Sequence, residues 1–130
     1  MAMSWFRAAA FVFAGWAAVC VLLPRLTNEI AGVGYVRSEH AEDWTQITGL
    51  FCIAFAILLN EAHRSPSPEV RRTVARGVLA LAMPCAILMT YWQVIPERRW
   101  FRLDIADVIL LYVIAYGMLQ HAQLRWRRES

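Results

Sequence analysis

The chain has 130 residues, of which 59% are apolar and 18% charged, with a formal net charge of +3 and a mean hydropathy of +0.43. Soluble domains carry about a quarter charged residues and a smaller apolar share. The composition therefore excludes an ordinary water-soluble domain and predicts a membrane protein.

Four stretches contain no Asp, Glu, Lys or Arg: Ala8 to Pro24, Trp44 to Asn60, Gly77 to Pro96 and Val108 to Leu124. As helices rising about 1.5 Å per residue, each reaches roughly 25–30 Å, close to the hydrocarbon thickness of a bilayer. The sequence predicts an all-α integral membrane four-helix bundle forming one domain over 1–130, with helices at about 5–24, 43–63, 68–95 and 104–125.

All 13 basic residues are arginine. With four spans, both termini and the second connection share one side and hold eight arginines: Arg7, Arg64, Arg71, Arg72, Arg76, Arg125, Arg127 and Arg128. The other side holds five: Arg25, Arg37, Arg98, Arg99 and Arg102. This asymmetry, with an acidic first connection, places both termini in the cytoplasm by the positive-inside rule.

The first run begins after Arg7 and ends at Pro24. A short basic segment followed by Ala17-Ala18-Val19-Cys20 has the outline of a cleaved leader, but Val19 is a poor residue before the cysteine. Apolar sequence also continues through Val21, Leu22 and Leu23, so the run reads as a span. Ala10, Ala14 and Ala18 recur every four residues, as Ala82 and Ala86 do later, a spacing that lets helix backbones approach within the chain, at a dimer face or at a docking face for a larger partner.

The first connection gathers Glu39, His40, Glu42 and Asp43. Oxygen and imidazole groups are cation ligands, yet without a second histidine on that side or a recognised metal spacing the segment reads as a solvated acidic loop. Asp43-Trp44-Thr45-Gln46 matches a capping box and is expected to open the second helix.

The third helix is expected near Pro68, because Ser67-Pro68-Glu69 combines a capping serine, a proline at the first helical position and an acid in the first turn. Pro84 predicts a kink midway and Pro96 an end. Asp104 and Asp107 open the fourth helix, where carboxylates favour the positive end of the helix dipole. On the outer rim, Asp107 is in reach of Arg25, Arg37, Arg98, Arg99 and Arg102.

Of six tryptophans, Trp5 and Trp126 fall at the cytoplasmic rim and Trp44, Trp92 and Trp100 at the other, as in aromatic belts. Trp16 lies mid-span, where packing against lipid or a neighbouring helix explains it better than a ligand. Cys20, Cys52 and Cys85 sit in three different apolar runs without C-x-x-C spacing and read as small buried hydrophobes. His63 and His121 share one side, but their place at span ends beside arginine does not suit buried haem ligation. No nucleotide loop, zinc-protease helix or nucleophile elbow occurs; no catalytic residue, cofactor or metal is expected.

Polar residues in apolar spans are costly unless paired or facing a cavity. Asn60, Glu61 and His63 cluster with Gln120 and His121 at the cytoplasmic end. Thr90 and Gln93 lie at a similar depth to Asp107 at the other. No ionisable group falls at the midplane, which argues against an obligatory proton or ion path. The candidate ligand-binding residues are Tyr91, Gln93, Asp107 and Tyr112, between the third and fourth helices.

The order of a first helix ending at Leu22-Leu23-Pro24, a polar re-entry with Gly32 and Gly34, a second helix entered through Trp44 and Gly49, and a compact third and fourth pair resembles the DoxX-like group of small four-helix bacterial membrane proteins. The resemblance covers most of the chain as architecture, with no diagnostic residue string, and no functional residue is carried over. It implies a multi-pass protein of the bacterial inner membrane; some members are linked to quinone or thiol redox systems. The leading expectation is a non-catalytic accessory or interaction subunit of a larger membrane assembly or a homo-oligomer, with the lipid bilayer and no nucleic acid as partner. The alternative is a binder or redox partner for a lipid-soluble small molecule such as a quinone.

Overall fold

A computed structural model describes residues 4–30, 39–94 and 104–122. The described residues form five helices: α1 (Trp5–Leu22), α2 (Pro24–Ile30), α3 (Glu39–Arg64), α4 (Pro68–Val94) and α5 (Asp104–Ala122). No strand occurs among them. Within α1, α3, α4 and α5 lie segments long and apolar enough to cross a membrane, in agreement with the four apolar runs.

Ser4 caps α1: its Oγ accepts from the Arg7 backbone N–H at 3.3 Å, satisfying one of the free donors of the first turn. α1 closes with the Leu23 N–H donating to the Val19 carbonyl at 3.0 Å. Pro24 does not end the structure there. It starts α2, because its fixed φ suits a first helical position where no N–H is required. Thr27 Oγ1 donates to the Leu23 carbonyl at 2.8 Å, and Arg25 pairs with Glu29 one turn on at 3.2 Å. This short helix is absent from the sequence expectation, which took the segment after Pro24 as a connection.

A second correction concerns α3. It begins at Glu39 rather than at Asp43, so the capping-box residues stand inside the helix. Thr45 Oγ1 donates to Asn28 Oδ1 at 2.7 Å and thereby ties α3 to α2. The start of α4 follows the sequence signal: Pro68 is its first residue, and Ser67 Oγ accepts from the Val70 N–H at 3.5 Å. α4 continues through Pro84 to Val94 as one helix.

α1 packs chiefly on α3 and α4 chiefly on α5, while narrower contacts of α3 with α4 and of α1 with α5 join the two pairs. Gly49 sets the α1–α3 approach. A Cβ there would lie 2.6 Å from Val21 Cγ2, 3.0 Å from Cys20 Cβ and 3.2 Å from the Ala17 carbonyl oxygen. Gly117 does the same for α1 against α5, where a Cβ would lie 2.5 Å from the Trp5 ring. Trp5 meets Tyr116 edge-on, with ring centroids 6.3 Å apart.

The inward stripe of α1 is Phe6, Ala9, Phe13 and Ala17, a step of three or four residues that keeps one helix face buried. The stripe is one position away from Ala10, Ala14 and Ala18; Ala14 and Ala18 are exposed and line a shallow outer groove with Ile53. Ala82 and Ala86, by contrast, are fully buried and serve packing within the chain. The largest fully buried side chains are Phe6, Leu59, Val78 and Met118. They come from the start of α1, the end of α3, the start of α4 and the end of α5, so the densest core lies at the end of the bundle that holds Ser4, His63 and Ala122.

At that end Ser4 Oγ and His63 Nδ1 are 2.6 Å apart, the Phe6 and His121 rings lie 4.9 Å apart, and Arg76 Nε donates to the Ala122 carbonyl at 3.1 Å. The outer faces of the four long helices carry large exposed apolar side chains, among them Phe11, Leu50, Ile87 and Tyr116.

Candidate functional site

In the half of the bundle away from the dense core, the described helices do not fill the space between them. A cavity of about 680 Å³ opens there, lined by Phe13, Trp16 and Cys20 of α1, Thr48, Phe51, Cys52 and Phe55 of α3, Leu81, Cys85 and Met89 of α4, and Asp107 and Leu111 of α5. The lining residues of α1, α4 and α5 are spaced by three or four, and those of α3 fall at i, i+3, i+4 and i+7, so each long helix presents one face to the same space. Its volume falls within the roughly 300–1,000 Å³ of small-molecule sites. Phe13 stands at its inner end, stacked on Phe55 at 5.5 Å and edge-on to Trp16 at 5.6 Å.

Among the described residues, Asp107 is the acid on this wall and no arginine lines it. The Trp16 indole N–H donates to Asp107 Oδ1 at 3.0 Å, joining α1 to α5 across the cavity. Of the arginines expected to meet Asp107, Arg25 pairs with Glu29 instead; Arg37, Arg98, Arg99 and Arg102 lie outside the described residues. Asp107 sits in the first turns of α5, where the helix dipole favours a carboxylate. Thr48 donates its hydroxyl proton to the Trp44 carbonyl at 2.8 Å.

Three cysteines, all free, reach this wall from three helices. With Met89 they give the cavity a lining of four sulfur groups, weakly polar and polarizable. Among the described residues, no three of His, Cys, Asp and Glu are grouped so as to hold a metal ion. The side chains of Glu39 and His40, in the acidic cluster of the first connection, lie outside the described residues.

The other sequence-nominated residues lie elsewhere. Tyr91 is exposed, and Tyr112 pairs through its hydroxyl with Thr90 Oγ1 at 3.1 Å; neither borders the cavity. The Gln93 side chain lies outside the described residues. His63 and His121 engage Ser4 and Phe6 separately, at the opposite end of the bundle from Asp107.

No protein-family model, curated protein or solved structure matches this chain.

Geometry alone therefore defines what the site offers. Its described residues present aromatic and sulfur surfaces, one carboxylate held by one indole, and no positive side chain. Such a space suits an apolar molecule with one polar feature. Sequence reasoning missed Trp16 and the converging cysteines, although the steps of four from Trp16 to Cys20 and through Leu81, Cys85 and Met89 were available as signals of a common face.

Proposed function

We propose that the chain is a multi-pass integral membrane protein, with both termini cytoplasmic, that binds a lipid-soluble small molecule in its four-helix cavity. The observation that carries this reading is the cavity itself: about 680 Å³ of mostly apolar space with Asp107 and Trp16 joined on its wall. In lipid, apolar contact alone does not drive helices together. A bundle densely packed around Phe6, Leu59 and Met118 at one end, with a cavity between the helices toward the other, therefore gives a lipid-soluble ligand a place to enter.

Membrane insertion is supported by the large apolar side chains exposed on all four long helices, which suit lipid contact better than water. The arginine asymmetry supports the orientation. The bacterial inner membrane follows from the DoxX-like resemblance.

The accessory-subunit reading draws on a different observation, the exposed Ala14 and Ala18 beside the outer groove. One preparation separates the two. The full chain, purified in mild detergent, is analysed by native mass spectrometry and organic extraction, and tested for uptake of the neutral fluorophore N-phenyl-1-naphthylamine. A co-purifying lipophile or saturable uptake, removed by the cavity-filling Cys52→Phe, supports the binder. Stoichiometric partner proteins with no uptake support the subunit and overturn the binder. Reporter fusions that place the two ends on opposite sides overturn the topology.

A further inference from the structure

We infer that the cavity is selective for a lipophilic organic cation, seated with its positive charge against Asp107; this rests on the binder reading and names the ligand's chemistry. Among the described residues, the wall holds one carboxylate and no arginine. Its Oδ1 accepts the Trp16 indole N–H, and no described residue donates to Oδ2. An ionised carboxylate accepts hydrogen bonds and donates none. In an apolar space a complementary charge or donor lowers its cost, and a cationic occupant supplies one.

The aromatic rings point the same way. Phe13, Trp16, Phe51 and Phe55 all border the cavity, and a cation within about 6 Å of a ring centroid is attracted to the ring face. An anionic ligand meets the carboxylate with like charge. An oxidised quinone presents only carbonyl acceptors, and the wall has few donors to meet them. The Trp16 N–H is engaged by Asp107 and the Thr48 hydroxyl by the Trp44 carbonyl. The thiols are weak donors. Electrostatic complementarity thus selects a positive head on an apolar body.

The test compares ions of equal size and opposite charge. The purified full chain in neutral detergent is dialysed against tetraphenylphosphonium or tetraphenylborate, with N-phenyl-1-naphthylamine as a neutral probe. Because the chain's net charge is +3, non-specific binding favours the anion. The expected result is a preference of about tenfold for the cation, lost in Asp107→Asn and kept in Asp107→Glu. Neutral uptake without cation preference, or a preference that persists in Asp107→Asn, overturns the inference and leaves the binder reading standing. Absence of uptake of any probe overturns both. Should Asp107→Asn fail to fold, the wild-type cation-to-anion ratio decides, because a ratio at or below one contradicts selection by the carboxylate.

Discussion

Trp16 and Asp107, ninety-one residues apart in sequence, are joined by an indole-to-carboxylate hydrogen bond of 3.0 Å across the open half of the bundle. The bond links α1 directly to α5, two helices with little other contact at that end. A hydrogen bond to a charged acceptor contributes about 1.5–3 kcal/mol when both groups are removed from water. Trp16→Phe keeps the ring and deletes the donor. It is expected to destabilise the protein by about 1–2 kcal/mol, read as a lower thermal midpoint in detergent, while a midpoint equal to wild type would remove the bond from the account.

Glycine substitutions provide a test with internal controls. Gly49→Ala brings a methyl group to 2.6 Å from Val21 Cγ2 and 3.2 Å from the Ala17 carbonyl oxygen, and the backbone atom cannot step aside without moving α1. Overpacking of this kind costs about 1–3 kcal/mol. Gly15 and Gly77 have nothing within 4 Å, so Gly15→Ala and Gly77→Ala should leave the midpoint unchanged or raise it, since alanine favours helix. Equal effects at all three sites would mean that close approach at Gly49 is not what matters.

Gly117→Ala addresses the other crossing. The added methyl meets the Trp5 ring at 2.5 Å, so the ring must leave its edge-on contact with Tyr116. Trp5 emission is the readout, best seen in a variant background where the other tryptophans are phenylalanine. A spectrum identical to that of the Gly117 parent would contradict the described contact.

The thiols can be counted directly. Cys20, Cys52 and Cys85 are free and partly accessible, so N-ethylmaleimide, small and membrane-permeant, should add to all three, with the intact mass indifferent to prior reductant. Saturating tetraphenylphosphonium should slow the reaction if the occupant covers the sulfur-lined wall. A reductant-dependent mass shift of two protons would reveal a disulfide that the structure lacks.

Ser4→Ala removes the acceptor of the Arg7 N–H and the 2.6 Å partner of His63. Loss of an N-cap costs about 1 kcal/mol. Hydrogen exchange in the first turn of α1 should rise while exchange in α4 stays constant; a uniform rise would indicate a global effect instead.

Much of the architecture was legible because lipid-length runs without charge are a one-dimensional signal. Ser67-Pro68 marked the start of α4, and Asp104 that of α5, since capping chemistry is local. The start of α3 was misread because Glu39 to Asp43 lacks apolar periodicity, although nothing in it forbids a helix. Pro24 was read as a terminator when it equally suits a first turn. The site was harder. Hydropathy treats every position of an apolar run alike, whereas the meeting of Cys20, Cys52 and Cys85 depends on how each helix is rotated about its axis. Asp107 was singled out from its position, but its indole partner required the tertiary contact.

The division into two pairs, α1 with α3 and α4 with α5, leaves the cavity on the seam between them. A seam of this kind can widen by rigid tilting of one pair against the other, pivoting on the dense end near Phe6 and Met118, with every backbone hydrogen bond inside the helices intact. In the membrane setting proposed above, a guest molecule would then reach Asp107 sideways from the hydrocarbon, without passing through water.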